Sequence, residues 1–407
     1  MTIKLDKRLF YKRLICMLLL IPYIRPPYID YIGGRIYQIY VLALYASIII
    51  IYVWYLLFRR KFSTFIFIVS AYEGILMLAT YQNHGIRISA IIEFLTYTSI
   101  CMLVELLLDE GGPFCTSIFS IVLDTLILLN FLTILLYPDG LYTTVSNQLY
   151  KNWFLGLANL HVQLILAACF FSMASSILKY GKFKISVHNL FIFLFGIISV
   201  LLTGKATPFI VLSVIMIYFI FSRQLEISRF MNGYTVIVTN LVLFIGIAVL
   251  NIQERFANLI ISVLHRDLTF TGRTPLWNLA LVAINDRPRI GHGIERLSIF
   301  AQKFNLNTCH NNYLWVMYRT GIIGFILLLI ILFNVALKLS KEKNRVFTTF
   351  CSIILLCIML IWQSESMNGV IFFAIYAIMY HCERLQINSN RHIAEIKNEK
   401  YRVKFHL

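Results

Sequence analysis

Three residues that could carry out anion or acid–base chemistry stand at predicted helix starts. Lys205 and Arg273 each closely precede a Thr-Pro pair, and His310 directly precedes Asn311. Thr-Pro is typical of an N-cap followed by the first helical residue, and Asn is a favoured N-cap. Helix starts present free N–H groups and positive partial charge, which bind phosphate-like anions. If the three starts converge, they predict an anion site beside a histidine that can act as general base.

The helices that carry the two cations are bounded by the same pairs. Thr274 as N-cap predicts a helix that begins at Pro275 and stops before Pro288. In the same way, Thr207 as N-cap predicts that the eighth apolar segment of the chain begins at Pro208. Both cations would then lie just outside a helix N-terminus.

The composition of the chain identifies the environment in which these helices form. Of the 407 residues, 59% are hydrophobic and 14% are charged, and the mean hydropathy is +0.77. These values exclude a water-soluble enzyme, a disordered protein and a disulfide scaffold, and they indicate a polytopic membrane protein. The net charge of +17 is therefore interpreted as topology and attraction to anionic lipid, not as nucleic-acid binding.

Twelve apolar runs are candidates for membrane spans, because each approaches the length needed to cross about 30 Å of hydrocarbon. We expect an all-α polytopic integral membrane protein of about twelve transmembrane helices. The predicted limits are Leu14 to Ile24, Gln38 to Leu57, Phe62 to Tyr81, Ile88 to Leu108, Thr116 to Tyr137, Leu155 to Leu178, Val187 to Leu202, Pro208 to Phe221, Tyr234 to Leu250, Asn312 to Leu337, Val346 to Trp362 and Gly369 to Tyr380.

The distribution of Lys and Arg predicts the orientation. If all twelve segments cross, every basic cluster falls on one side, which is the cytoplasm by the positive-inside rule. Both termini are then cytoplasmic, and the turn at Asp109 and Glu110, which has no Lys or Arg, is an inner loop. The clusters are Lys4/Lys7/Arg8/Lys12/Arg13, Arg59/Arg60/Lys61, Lys179/Lys182/Lys184, Arg223/Arg229, Lys338/Lys341/Lys343/Arg345 and the tail from Arg384 to Lys404.

This topology divides the chain into four parts. Residues 1–250 hold spans one to nine, residues 251–311 form a large extracytoplasmic loop, residues 312–384 hold the last three spans, and residues 385–407 form a basic cytoplasmic tail. The loop contains seven Lys or Arg residues although outer loops are usually poor in both. These cations are either a solvated surface or part of an external anion site. They are Arg255, Arg266, Arg273, Arg287, Arg289, Arg296 and Lys303.

Four short motifs in the loop and the following span resemble the O-antigen ligase and polymerase superfamily. Each is weak alone, but their order and placement across about fifty residues are more specific. They are Gly272-Arg273-Thr274-Pro275-Leu276-Trp277, then Arg287-Pro288-Arg289-Ile290-Gly291-His292-Gly293, then His310-Asn311-Asn312-Tyr313-Leu314, and finally Thr320-Gly321-Ile322-Ile323-Gly324.

The resemblance implies a GT-C-like membrane glycosyltransferase that works without a metal or another cofactor. Its substrate would be a glycan linked to undecaprenyl pyrophosphate on the outer face of the cytoplasmic membrane. Its partners would include membrane lipid, a chain-length regulator and a flippase. By the same resemblance, Arg273 and Lys205 contact the donor pyrophosphate, and His310, with Arg273, forms the catalytic centre. The family usually has Arg where Lys205 stands, and Arg319 replaces a residue that is often acidic.

The residues support this chemistry independently of the resemblance. Fixed cations stabilise a pyrophosphate leaving group, and a histidine can deprotonate a sugar hydroxyl. A helix start and two cations near His310 would keep its ring neutral. The loop shows no paired carboxylates of the kind that a glycosidase needs.

Other residues have both a functional and a structural interpretation. Trp277 and Asn311 are candidates for glycan binding, although Trp277 can instead pack its helix and Asn311 can cap the next one. His292 is an alternative base. Four acids within the spans are either paired or line a polar cavity, and a proton relay is the functional alternative. These acids are Glu73, Glu93, Glu105 and Asp124.

Three functions remain open at this point. The first is polymerisation of surface polysaccharide repeat units, as in O-antigen, capsule or exopolysaccharide. The second is ligation of a finished glycan to another acceptor. The third is transport of a lipid-linked oligosaccharide, but the two halves of the chain show no similarity, and the polar residues concentrate in one loop. We therefore predict a glycosyltransferase and favour the polymerase.

Overall fold

A computed structural model describes residues 7–59, 61–145, 149–227, 231–250, 252, 273–366 and 369–385. Within these ranges the chain is mostly helical. The α-helices are α1 (Lys7–Leu20), α2 (Pro27–Ile32), α3 (Gly34–Phe58), α4 (Thr64–His84), α5 (Ile88–Asp109), α6 (Gly112–Leu136), α7 (Ala158–Tyr180), α8 (Val187–Thr203), α9 (Ala206–Ile227), α10 (Gly233–Phe244), α11 (Arg273–Asp286), α12 (Ile299–Phe304), α13 (Asn312–Lys341), α14 (Arg345–Ser364) and α15 (Val370–Tyr380).

The predicted spans coincide with helices. By length and composition, α3, α4, α5, α6, α7, α13 and α14 can each cross a membrane. The apolar helices at Val187–Thr203, Ala206–Ser222, Gly233–Val249 and Val370–Tyr380 are shorter, and the first predicted segment falls on α1 and the 3₁₀ turn Ile21–Tyr23. A multi-pass membrane protein is thus confirmed, while the number of twelve crossings stays a prediction. In the segment between α10 and α13, α11 and α12 are the short helices expected there, and residues 253–272 lie outside the described part of the chain.

The prediction of an all-α protein is wrong in one place. The loop between α6 and α7 forms an antiparallel sheet of β1 (Tyr142–Val145), β2 (Leu149–Trp153) and β3 (Gly156–Leu157). Threonine, tyrosine and tryptophan are common in this segment, and β-branched and aromatic side chains favour strands. The indole of Trp153 donates a 2.8 Å hydrogen bond to the Tyr137 carbonyl at the end of α6, which fixes the sheet to the bundle.

The outer surface of the bundle is apolar. Ile39 and Leu42 on α3 are 66% and 65% exposed, and such faces occur on several helices. In water this much exposed apolar surface would be unfavourable, whereas lipid tails cover it at no cost. The apolar exterior therefore supports a membrane environment independently of helix length.

At the centre of the bundle lies α15, which packs against α5, α7 and α13. Its side chains from Phe372 to Met379 have no solvent exposure. With a rise of 1.5 Å per residue its eleven residues extend about 16 Å, roughly half of the hydrocarbon thickness. The helix is therefore enclosed by protein.

The acidic turn at Asp109 lies among cations from distant parts of the sequence. Arg59 donates to Asp109 from Nε at 2.8 Å and from Nη2 at 2.9 Å, and Arg384 also pairs with Asp109. Lys12 pairs with Glu110 in the neighbouring position. The contacts place the basic clusters near Lys12, Arg59 and Arg384 at one end of the bundle, as the parity of spans requires. They also explain how the turn has a basic environment without any Lys or Arg of its own.

A kink in α13 receives the loop that follows α11. Gly321 has φ +61 within α13, and the amides of Ile322 and Ile323 donate to the carbonyls of Pro288 and Arg289 at 2.8 and 3.1 Å. A Cβ on Gly321 would come within 2.3 Å of the Arg289 backbone. The glycine motifs of the sequence therefore serve a backbone-to-backbone contact that fixes the outer loop against α13.

Candidate active site

Arg273 and His310 meet at a carboxylate that the sequence analysis did not select. The Glu365 carboxylate accepts a 2.9 Å hydrogen bond at Oε1 from Nη2 of Arg273. Its other oxygen, Oε2, lies 3.1 Å from Nδ1 of His310. Arg273 and His310 were predicted to converge, and they do so through this acid.

The Glu365 side chain is nearly enclosed, and its two partners are not. It is 4% exposed, whereas the side chains of Arg273 and His310 are 23% and 31% exposed. Asn159 at the start of α7 adds a third contact, with Nδ2 donating to Oε1 at 2.9 Å. A buried carboxylate is stable only when donors or cations satisfy it, and these three groups do so. Glu365 thus holds Arg273 and His310 in place, and part of each of these two side chains remains exposed.

Hydrogen bonds between the end of α14 and the start of α13 position the carboxylate. Glu365 directly follows α14, and its amide donates to the Ile361 carbonyl at 2.8 Å. The Asn311 amide nitrogen Nδ2 donates to the Gln363 carbonyl at 3.2 Å, and the Asn311 backbone N–H donates to Ser366 Oγ at 3.1 Å. The two helix ends are therefore joined on both sides of Glu365.

The backbone of His310 has an uncommon conformation. Its φ of 54° lies in the left-handed region, which few residues other than glycine adopt. The conformation reverses the chain immediately before the N-cap of α13 and turns the imidazole toward Glu365. Residues held in such regions often lie at functional sites, because the surrounding structure must compensate for the strain.

Arg273 is the first described residue of α11, and residues 271 and 272 lie outside the described part of the chain. The helix ends at Asp286, before Pro288, which confirms the predicted stop. The described helix already includes Arg273 and Thr274, two residues before the predicted start at Pro275, so the prediction of Thr274 as N-cap is wrong.

Lys205 also stands at a helix start, but the predicted cap is wrong. Helix α9 begins at Ala206, so Thr207 lies in its first turn and is not the N-cap. Gly204, with φ +64, ends α8 and leaves only Lys205 between the two helices. Pro208 still fits, because the first turn of a helix needs no N–H donor from it.

The start of α9 contacts the end of α14 through the side chain of Thr207. Thr207 Oγ1 lies 2.9 Å from Ser364 Oγ, one residue before Glu365. The Lys205 side chain itself is exposed. The starts of α9 and α13, together with Arg273 on α11, thus lie near the end of α14.

Two predicted glycan-binding residues are buried. Trp277 is 2% exposed and packs within the core, which favours the packing interpretation over sugar stacking. Asn311 is fully buried, and its Oδ1 accepts from the Leu314 N–H at 3.1 Å as the N-cap of α13. The capping role of Asn311 is confirmed, and both polar atoms of its side chain are already hydrogen-bonded within the protein.

His292, the alternative base, has a structural role. Its Nε2 lies 2.9 Å from the Ala283 carbonyl, and its ring stacks on Tyr318 with centroids 4.5 Å apart. The flanking Gly291 and Gly293 pack against the backbones of α13 and α4. The ring therefore fixes the loop rather than facing the cluster at Glu365.

Most other cations of the outer loop are solvated. The side chains of Arg287, Arg289, Arg296 and Lys303 are exposed, whereas Arg255 and Arg266 lie outside the described residues. The solvated-surface interpretation therefore holds for these four, and Arg273 is the loop cation that joins the site.

Glu365 had a recognisable signal in the sequence. The run Gln363-Ser364-Glu365-Ser366 is a polar interruption between two apolar segments, at the same predicted face as the loop. Intramembrane or interfacial acids are rare and costly unless they are paired. Glu365 lies at the boundary between a predicted span and a loop, so it belongs neither to the acids inside the spans nor to the acids of the large loop.

Among the described residues, no three His, Cys, Asp or Glu side chains are close enough to hold a metal ion. The polar groups of the site are an imidazole, a guanidinium, a carboxylate, an amide and the starts of α9 and α13. This set can hold an anion, orient an imidazole and accept a proton.

The fold and the site define a polytopic membrane protein with a His–Glu–Arg cluster at one end of its helical bundle. Comparison with known proteins gives a family model that matches part of the chain. Residues 191–329, which are 139 of the 407 residues, match the family model described as O-antigen ligase, which supports the resemblance to the O-antigen ligase and polymerase superfamily seen in the motifs. The matched segment includes α9, α11 and the motifs up to Gly324. Members of this family are glycosyltransferase-like ligases and polymerases that act on lipid-linked glycans in membranes.

A relative with similar sequence is an uncharacterized protein of Haemophilus influenzae. It is 24% identical over 186 residues, which cover 40% of this chain and 46% of that protein. The chain thus spans less than half of that relative. No solved structure matches the chain.

Proposed function

We propose that the chain polymerises surface polysaccharide repeat units by transferring an undecaprenyl-pyrophosphate-linked glycan to an acceptor sugar hydroxyl. The reaction would take place on the outer face of the cytoplasmic membrane, with both termini of the chain in the cytoplasm. The observation that carries the proposal is the convergence of Arg273 and His310 on Glu365 near the starts of α9 and α13. A histidine oriented by a carboxylate next to an anion-binding surface is what glycosyl transfer from a pyrophosphate requires.

His310 acts as the general base in this proposal. With Nδ1 directed at Glu365, the neutral ring donates its Nδ1–H to the carboxylate and leaves the lone pair on Nε2 free to accept a proton. We expected Arg273 and Lys205 to act directly on the His310 ring. In the structure, the Glu365 carboxylate lies between Arg273 and His310 and orients the ring. That the ring is neutral during turnover stays a prediction.

The bond changes balance without an added reactant. The acceptor hydroxyl transfers its proton to His310 Nε2, and its oxygen forms a bond to the anomeric carbon of the donor glycan. The bond between that carbon and the pyrophosphate oxygen breaks, and the leaving diphosphate takes the electron pair. Arg273 and Lys205 would stabilise the negative charge that develops on this leaving group.

Arg273 can engage the donor while keeping its contact with Glu365. Among the described residues, its guanidinium has an acceptor at Nη2 only, so its other nitrogens can face a phosphate. Guanidinium forks bind phosphate oxygens in pairs, which a lysine ammonium cannot do. We therefore assign the principal pyrophosphate contact to Arg273 and a supporting charge to Lys205.

A second candidate is ligation of a finished glycan to a different acceptor, because the matched family model is described as O-antigen ligase. The same residues would serve both reactions. A flippase, in contrast, has no use for an oriented base. A chain-length regulator and a flippase would be separate partners of a polymerase.

Deletion of the gene, followed by analysis of surface glycan length, tests the proposal. Single capped repeats would support the polymerase, and full-length lipid-linked chains left unattached would identify a ligase.

Complementation with His310→Asn distinguishes a base from a structural residue, because the amide keeps hydrogen bonds but has no basic nitrogen. We expect His310→Asn and His310→Ala to lose about 10²- to 10⁴-fold in rate at normal abundance. An active Asn variant would remove the general base from the proposal.

A further inference from the structure

A cavity of about 290 Å³ is lined in part by residues that follow His310 and Glu365 in the chain. Its wall includes Asn312 and Ser366, which are the second residue after His310 and the first after Glu365. Ser366 Oγ also accepts the Asn311 N–H that joins the two helix ends. The helix ends that hold the catalytic pair therefore also contribute residues to the cavity wall.

The cavity contains buried polar atoms that no described residue satisfies. Glu73 Oε2 lacks a hydrogen-bond partner, and so do both Nδ2 and Oδ1 of Asn312. Glu73 is 2% exposed, and Asn312 has no exposure. Buried polar atoms are almost always hydrogen-bonded, so three unpartnered atoms around one cavity indicate that a polar ligand or water supplies the missing bonds.

A pair of opposite charges completes the polar wall. Arg319 binds Glu93 through two parallel hydrogen bonds, Nη1 to Oε1 at 3.0 Å and Nη2 to Oε2 at 2.8 Å. Trp315 lies below this guanidinium, 5.9 Å from its ring centroid. Arg319, which departs from the family pattern, thus has an acidic partner from another helix and helps to line the cavity.

The charges and polar groups of the cavity select the class of ligand. The cation of this cavity, Arg319, is already paired with Glu93 through two hydrogen bonds, so the lining residues offer no free cation to a pyrophosphate. Carboxylate, amide and guanidinium groups line the wall, so a lipid tail would be unfavourable. A sugar hydroxyl both donates and accepts, and carboxylates and amides with an adjacent aromatic ring bind such groups. The volume is sufficient for about one sugar ring.

Resting on the proposed function, we propose that this cavity is the acceptor subsite and binds the terminal sugar of the acceptor glycan. Glu73 and Asn312 would accept and donate hydrogen bonds to its hydroxyls. The reacting hydroxyl would then point past Ser366 toward His310. In this proposal the anionic pyrophosphate of the donor binds at Arg273 and Lys205, and the neutral sugar of the acceptor binds in the cavity that contains the acidic side chains.

Saturation-transfer NMR on the full-length protein in lipid nanodiscs tests the subsite. The probe is the water-soluble oligosaccharide released by mild acid from lipid extracts of a strain that lacks this protein. We expect Glu73→Gln and Asn312→Ala each to raise its apparent Kd about fivefold or more, which corresponds to one lost hydrogen bond. Asp124→Asn is the matched control, because it changes a buried acid in a separate cavity, and it should leave the Kd unchanged.

Two results would overturn the subsite. The first is an unchanged Kd in both variants. The second is displacement of the oligosaccharide by inorganic pyrophosphate, which would place it at the donor cations instead. Either result combined with a loss of polymer in His310→Ala cells would leave the proposed function standing. Unchanged surface glycan in the gene deletion would reject the proposed function itself.

Discussion

The carboxylate of Glu365 lies 3.1 Å from Nδ1 of His310, although 55 residues separate them in the chain. The contact joins the residue before α13 to the residue after α14. An imidazole held at Nδ1 by a carboxylate has a defined tautomer and a defined direction for Nε2, which is the arrangement found wherever histidine acts as an oriented base. Glu365 is therefore a positioning residue for the reaction that we propose.

Glu365→Gln should lower the polymerisation rate about 10²-fold, because the amide neither fixes the imidazole tautomer nor balances Arg273. Glu365→Asp should restore part of the rate, since it keeps the charge on a shorter side chain. Initial rates in proteoliposomes across a range of pH give the measurement.

Rescue by the conservative variant separates positioning from a purely structural role. Glu365→Asp should recover rate over Glu365→Gln while protein abundance and thermal unfolding stay the same in the two variants. A loss of rate that only follows a loss of abundance in both variants would show that Glu365 only stabilises the fold.

The two cations should differ in their response to substitution. Arg273→Ala should abolish transfer, and Arg273→Lys should recover little, because an ammonium cannot replace both the Glu365 contact and a two-pronged phosphate contact. Lys205→Ala should be severe, and Lys205→Arg should stay active, since its side chain is exposed and has room for the larger group. Rates and protein abundance are measured together. Full activity in Lys205→Ala at normal abundance would exclude Lys205 from the site.

The sequence predicted the helices and the three cationic or basic residues because both depend on local signals. Apolar runs determine the helices, and Thr-Pro and Asn mark their starts near Lys205, Arg273 and His310. Glu365 was not predicted, because its role depends on which helix ends meet, and that is decided by packing around α15. The burial of Trp277 and the unpartnered amide of Asn312 depend on the same packing. The sheet at Tyr142–Leu157 was missed because its strands are short and lie within a polar loop.

Gly321→Ala should destabilise the protein by about 2–5 kcal/mol. The substitution puts a Cβ at φ +61 and within 2.3 Å of the Arg289 backbone, so it adds both strain and a clash that backbone atoms cannot relieve. Thermal unfolding in detergent and abundance in the membrane give the measurement. Gly74→Ala is the matched control, because a Cβ there meets nothing within 4 Å, and it should be neutral or slightly stabilising. Equal stability of the two variants would show that the loop at Arg289 does not pack into the α13 kink.

Cysteine labelling should reveal which side of the membrane carries the site. Leu297 in the outer loop is 57% exposed, and Lys343 between α13 and α14 is also exposed. A membrane-impermeant maleimide added to spheroplasts should label Leu297→Cys at once and Lys343→Cys only after permeabilisation. The native chain provides a silent background, because all eight cysteines are buried. Burial raises the pKa of the Cys309 thiol to about 12, so at pH 8 only about one part in 10⁴ is the reactive thiolate. Labelling at Cys309 should therefore stay negligible as the pH rises toward 10 and appear only on unfolding. If both engineered positions react from the same side, the predicted orientation and the predicted extracytoplasmic position of the site are both wrong.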